Sequence, residues 1–347
     1  MDNFELRALR PAETAEMEAL LAREGLRRDA RLDYSAGIFA SARLVATGSC
    51  AGNTLRCLAV DRDFQGAGLL RQLVWHLANV QYRRGNFHLF LYTKPAAAHF
   101  FQDLGFTEIA RDSDVVFLEN QKRGFSAYLH QLAQESGPPA PADEPTGALV
   151  MNANPFTLGH QYLADQAAAC CGTVHLFVVS EDVSVFPASD RMELVRAGTA
   201  HLKNLVYHQT GHYLISRATF PSYFLPDSTA AVCAQARLDA AVFCRIASAL
   251  HITRRYLGTE PLSRTTALYN QALLAVLPPN GVTCLEIPRL MQGKTPVSAS
   301  AVRQALKDGR WNAVEQMVPA STLSYLRSAQ GALAVECLSD QKEVRHD

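Results

Sequence analysis

Three side chains in one short turn have the types and spacing to hold a phosphate. In residues 151–160, MNANPFTLGH, the polar groups Asn154, Thr157 and His160 can converge on one anion. The segment follows an apolar run and opens a helix. Pro155 bars continuation of a strand, and Gly159 permits close backbone approach. His160 falls in the first helical turn, where orphan N–H groups and the helix dipole favour an anion. The same residues also suit a plain helix cap, with Thr157 capping and His160 merely exposed.

A second group lies near the far end of the chain. In residues 297–303, VSASAVR, Ser298 can cap a helix and turn backbone donors outward. Ser300 and Arg303 stand three apart, hence on one helix face. Arg303 offers paired donors for a β- or γ-phosphate, and Lys294 adds a point charge four residues before Ser298. Residues 256–261, YLGTEP, end a strand in a turn that resembles one the nucleotidyltransferase superfamily places against its nucleotide; that resemblance implies Gly258 and Glu260 at a ribose or an adenine edge, and a simple strand-to-helix turn is the alternative. Residues 213–225 pack aromatic and small polar side chains with one arginine into a loop that suits a small-acid pocket. Gln65, Gly66 and Gly68 lie between a strand and a helix start, where glycine amides can cradle a pyrophosphate. The pair His208 and His212 lacks a third ligand and a helical spacer, so no metal site is expected.

These groups need elements to position them. Before residue 136 the pattern is mixed: helices over 11–24, 68–83, 95–103 and 122–134, and strands over 43–47, 54–60 and 88–93. Residues 136–145 carry four prolines in ten positions, a stiff solvated spacer. Beyond it strands (147–152, 173–180, 204–208, 253–257, 282–287) alternate with helices (159–171, 188–201, 228–250, 262–276, 299–308). Such alternation predicts a parallel sheet with ligands beyond its carboxyl edge. The expectation is an α/β protein with domains over 1–136 and 147–347, joined by a linker over 137–146. The 33 basic and 33 acidic residues in 347 balance to zero, which argues against a nucleic-acid or membrane-surface partner. The opening residues lack an apolar signal core, and the eight cysteines form no CxxC pair, so a reducing cytoplasmic setting is expected. Arg27-Arg28, Arg83-Arg84 and Arg254-Arg255 read as solvated faces.

The first turn resembles the (H/T)-x-G-H signature of the nucleotidyltransferase superfamily, with Thr157, Gly159 and His160 on its positions. VSASAVR is similar to that superfamily's I-S-S-T-x-x-R, with Ala299 replacing one serine. The ISRATFPSYF run at 215–224 is the most specific. Together with NPFTLGH, Thr266-x-x-Tyr269-Asn270 and SASAVR, it resembles the citrate lyase ligase family over nearly the whole chain. Residues 58–70 and 99–106 resemble a GNAT-type N-acetyltransferase, although Leu70 stands where a small residue is usual. The resemblance implies a GNAT-like α+β domain followed by a Rossmann-like nucleotidyltransferase domain. It implies an enzyme that uses ATP, with Mg²⁺ on the nucleotide, to turn acetate into acetyl-adenylate. The acetyl group then passes to the thiol of a CoA-like prosthetic group on the acyl-carrier (γ) subunit of citrate lyase.

Thr157, His160, Lys294 and Arg303 are then the catalytic residues. Asn152, Asn154, Phe156, Gly159, Gly258, Glu260, Ser298 and Ser300 bind ATP. Ser216, Arg217, Thr219 and Tyr223 form the acetate and adenylate pocket. For the first domain three readings stand: it docks the CoA-like arm at Gln65, Gly66 and Gly68, it is a structural remnant that shapes the interface, or it is an active acetyltransferase. A plain nucleotidyltransferase making an adenylylated small molecule is the alternative.

Overall fold

In the computed structural model the described residues are 4–138, 141, 143–180, 184–214, 220–260, 263–293 and 295–339. Contacts group the chain up to Phe125 with Pro221–Ala234 as one unit, and Ser126–Phe220 with the chain from Gln235 onward as another.

The first unit is built on β1 (Phe4–Ala8), β2 (Tyr34–Ala40), β3 (Arg43–Ala51), β4 (Thr54–Val60), β5 (Phe90–Thr93), β6 (Thr107–Arg111) and β7 (Val116–Glu119). They form one mixed sheet in the order β1-β2-β3-β4-β5-β7-β6. Helices α1 (Thr14–Arg23), α2 (Leu69–Arg83) and α3 (Ala98–Gln102) accompany it. The α2 stripe Leu69, Leu73 and Leu77 recurs every four residues and joins a core with Ile38, Val45, Leu55 and Leu91. Strands β4 and β5 are parallel and pair only at Thr54 with Phe90 and Leu55 with Leu91. Cys57 then takes a left-handed φ of 52°, and the two strands part. Between and beyond them lies a cavity of about 540 Å³, lined in part by Leu58, Val60, Leu91 and Tyr92. This is an α+β arrangement: one mixed sheet accompanied by helices.

Helix α4 (Gly124–Ser136) leads to the parallel sheet of the second unit. Its strands are β8 (Thr146–Met151), β9 (Thr173–Val178), β10 (Leu205–Gln209), β11 (Arg254–Gly258) and β12 (Thr283–Ile287). The order is β10-β9-β8-β11-β12, with every pairing parallel. The chain therefore builds outward from β8 in one direction, then returns to β8's other side with β11. That reversal is the topological switch point, where ligands bind in open α/β sheets.

Helices α5 (Leu158–Ala169), α6 (Ala188–Gly198), α7 (Ser228–Ala249) and α8 (Arg264–Val276) connect or flank these strands. A two-residue hairpin, β13 (Met291–Gln292) and β14 (Thr295–Pro296), precedes α9 (Ala299–Lys307). Three short helices close the order: α10 (Trp311–Glu315), α11 (Ala320–Leu326) and α12 (Ala329–Ser339). They pack with Phe186, Val297 and Val302 in a separate apolar cluster.

One arginine differs from expectation. Arg255 is only 4 % exposed and lies 4.5 Å from the Phe243 ring centroid; it was read as solvated because its surroundings are distant in sequence. Arg27 is exposed, as expected, and also acts as a clasp: its backbone N–H donates to Tyr223 O at 2.9 Å, and Nη2 donates to Leu225 O at 2.7 Å. Among the described residues no helix is long and apolar enough to cross a membrane, and all eight cysteines are free thiols.

Candidate active site

The turn after β8 carries the site. Ala153 has a left-handed φ of 53° and the Asn154–Pro155 bond is cis; the non-glycine left-handed residue is a sparsely populated conformation that surrounding structure must hold in place. Arg191 does much of that holding. This fully buried guanidinium donates from Nη1 to Asn152 O at 2.8 Å, to Asn152 Oδ1 at 2.8 Å and to Val179 O at 2.7 Å. Its Nε donates to Phe186 O at 3.0 Å. Asn154 Oδ1 accepts from Phe186 N at 3.2 Å. Every one of these acceptors is a turn or strand end, so a single cation locks the carboxyl edge of β8 and β9.

Thr157 caps α5 in a reciprocal box that uses histidine where glutamate is usual. His160 N donates to Thr157 Oγ1 at 3.3 Å, and Thr157 N donates to His160 Nδ1 at 3.1 Å. A nitrogen that accepts from an N–H carries no proton itself. The neutral ring's proton therefore resides on Nε2, which is left as a donor. Burial, then Arg289, then Arg303 push the His160 pKa down to about 4, so the imidazole is neutral at pH 7. The cations that disfavour a proton here also favour an anionic ligand.

Phe156 was expected to touch the nucleotide. It is fully buried, its ring 5.6 Å from the His160 ring and packed against Gly198. It supports the histidine from behind.

The second motif meets the first. Ser298 caps α9, accepting from Ala301 N at 3.2 Å, and its Oγ lies 3.2 Å from Ser300 Oγ. A Cβ at Gly159 would lie 2.8 Å from Val297 O, so only glycine lets the two helix starts approach this closely. Leu158 N–H is taken by Met317 O and His160 N–H by Thr157 Oγ1, leaving the Gly159 N–H as the spare donor there among the described residues. Two positive helix ends thus face one place. Arg303 was expected on a phosphate. Instead it is 2 % exposed and its Nη1 donates to Asn154 O. It ties the two motifs together.

The turn after β11 is also present, with a different use of its residues. Gly258 O accepts from Asn270 Nδ2 at 3.0 Å. Glu260 pairs with Arg289 and accepts from Ser263 N at 3.0 Å, so protein groups hold its carboxylate. Arg289 also donates from Nε to Thr259 O at 2.7 Å. Sequence reading missed Arg191 and Arg289. The first sits among ordinary helix charges, and the second follows a strand with no motif around it.

Lys294, Ser216, Arg217 and Thr219 lie outside the described residues. Tyr223 is placed in the first unit, where it lines the cavity with Phe224; its hydroxyl meets the Cys57 backbone and burial raises its pKa. Gln65, Gly66 and Gly68 line the same cavity. Gly66 and Gly68 have φ of 85° and 73°, left-handed values that suit glycine. Tyr92 lies along that cavity and stacks on Phe117, while Tyr128 donates to Gln209 O at 3.0 Å in the second unit.

Residues 146–326 match the family model described as the citrate lyase ligase C-terminal domain. The chain is 42 % identical to [citrate [pro-3S]-lyase] ligase of Klebsiella pneumoniae over 290 residues, covering 82 % of this chain and 84 % of that one. It is 38 % identical to the Escherichia coli (strain K12) protein of the same name, covering 90 % of each chain. A solved GNAT-family acetyltransferase from Staphylococcus aureus aligns with 34 % of this chain and 98 % of its own, at 13 % identity and a TM-score of 0.31.

Proposed function

This chain belongs to the citrate lyase ligase family, is a ligase, and on that premise we propose that it joins acetate to the thiol of a citrate lyase acyl carrier at the expense of ATP. In the first step an acetate oxygen attacks the α-phosphorus and the bond to the β-phosphate oxygen breaks, giving acetyl-adenylate and pyrophosphate. In the second, the carrier thiolate attacks the acetyl carbonyl and AMP leaves. The γ subunit carries this thiol on its CoA-like prosthetic group, and its acetylation activates the lyase.

Acetate needs no general base, because a carboxyl group of pKa near ~4 is already ionised at neutral pH. What remains is alignment and stabilisation of charge on phosphate. His160 donates from Nε2 to a phosphate oxygen without changing its own charge. Thr157 sets the ring. The N-terminal donors of α5 and α9, with Ser298 and Ser300, take up charge on the leaving pyrophosphate. Arg289 adds a cation beside them, while Arg303 and Arg191 position the turn. Mg²⁺ carried by the triphosphate would neutralise phosphate charge when bound.

The 147–347 domain performs this chemistry, and the 1–136 domain receives the carrier's arm in its cavity at Gln65, Gly66 and Gly68. The setting is cytoplasmic. The observation that carries the reading is the approach of Gly159 to Val297 O, which brings a neutral histidine and two helix starts to one point.

The test is exchange of labelled pyrophosphate into ATP by purified protein with Mg²⁺ and no carrier. Exchange is expected with acetate and not without it. Exchange independent of any acid would overturn the ligase reading in favour of a nucleotidyltransferase with another acceptor.

A further inference from the structure

The outward face of α2 carries aromatic side chains that no core explains. Trp75 is 69 % exposed, and Tyr82 stands seven residues on, two full turns along the same face. Tyr82 stacks on the exposed Phe87, with ring centroids 5.8 Å apart. Arg71, one turn before Trp75, continues the stripe to the helix start and lines the 540 Å³ cavity. Phe100 lines that cavity too, with half its surface in solvent. The helix sequence LLRQLVWHLANVQYR holds no acidic residue. Among the described residues neither Arg71 nor Arg83 has an ion-pair partner, whereas the next arginine, Arg84, pairs with Asp33.

We propose that the stripe from Arg71 through Trp75 and Tyr82 to Phe87 is the docking face for the protein body of the acyl carrier, whose surface against it is acidic. The inference rests on the reading above that a carrier thiol is the acceptor. A small molecule entering the cavity needs no such face. A prosthetic arm fixed to a protein does, because the protein must rest beside the opening through which its arm passes. Exposed Trp and Tyr flanked by arginine are the residue types that dominate binding energy at interfaces. Unpaired arginines on a helix without carboxylates select a partner of opposite charge and speed its approach.

The experiment measures carrier acetylation at varied carrier concentration for wild type, Trp75→Glu, Trp75→Phe and Arg83→Glu. Trp75→Glu and Arg83→Glu are expected to raise KM for the carrier at least tenfold, and Trp75→Phe by less than about threefold. Acetate-dependent pyrophosphate exchange without carrier should be unchanged in all of them. The wild-type KM should also rise with ionic strength. Wild-type protein that acetylates the carrier while the glutamate variants keep its KM would overturn the docking face alone. Wild-type protein that exchanges pyrophosphate but never acetylates the carrier would overturn the acceptor assignment beneath it, and the docking face with it.

Discussion

Replacing Gly159 by alanine tests the site's architecture more sharply than removing a polar group. On helix propensity alone the change should stabilise α5 by about 1 kcal/mol. The structure argues the opposite sign. The new methyl carbon would sit 2.8 Å from Val297 O and 3.5 Å from Thr157 Oγ1, and ordinary contact begins near 3.4 Å. The nearer obstacle is backbone, so it cannot rotate away. It must retreat by about half an ångström, taking Ser298 and the start of α9 with it. Overpacking of this kind costs about 1–3 kcal/mol, which offsets the propensity gain or exceeds it. The effect on catalysis is larger in proportion, since about 1 Å of misplacement costs on the order of a hundredfold in rate. Half that displacement predicts about a tenfold loss of acetate-dependent pyrophosphate exchange. Thermal melting and the exchange assay on one preparation provide the two readouts. A Gly159→Ala protein that melts higher than wild type and exchanges at the wild-type rate would refute the reasoning, because the two motif segments would then not be locked to each other.

Three other outcomes are expected. His160→Ala should reduce exchange by about 10²–10³-fold. Because the His160 pKa lies at about 4, the wild-type rate should show no His160 inflection between pH 6 and 8; an inflection near 6.5 that disappears in His160→Ala would contradict a neutral donor. Arg191→Met leaves Asn152, Val179 and Phe186 acceptors buried without their donor, at about 1–3 kcal/mol each. Urea unfolding should therefore show a loss of at least about 3 kcal/mol, and an unchanged midpoint would remove Arg191 as the lock. His175 and His208 face each other at 3.0 Å, and burial lowers the pKa of both, that of His175 to about 4. Their contribution to stability is present above the unfolded value near ~6.5 and is lost as pH falls toward about 4. The urea midpoint should therefore fall over that window, and more steeply than in His175→Gln.

The site's local parts were legible because each is written in adjacent residues. Thr157 and Ser298 cap helices whose apolar periodicity begins at once, and the five parallel strands each announce themselves as short apolar runs between helices. Strands β1, β2, β6 and β7 escaped the reading. FELRA is too brief to show alternation against its surroundings, and YSAGIFA mixes small residues that suit either structure. The contacts that Arg303, Glu260 and Phe156 make within the protein were not legible, for one reason. Their types suit a phosphate, a ribose or an adenine, but each spends its capacity on the protein: on Asn154 O, on Arg289, and on the back of His160. Whether a polar group faces ligand or backbone depends on contacts that span much of the chain, as between Arg303 and Asn154, and spacing alone does not encode them.

The grip of Arg27 on residues 222–225 bears on how this protein is made. The first unit takes in Pro221–Ala234 as well as the chain up to Phe125, and Tyr223 and Phe224 form part of its cavity wall. A ribosome therefore cannot release a finished first unit when the proline-rich stretch emerges. The sheet can form, but the wall of its cavity arrives only after a further stretch that includes β8, β9 and β10. Dissection at the proline-rich stretch, the natural place to cut by sequence, would yield a fragment with an open cavity and with Arg27 deprived of three carbonyl partners.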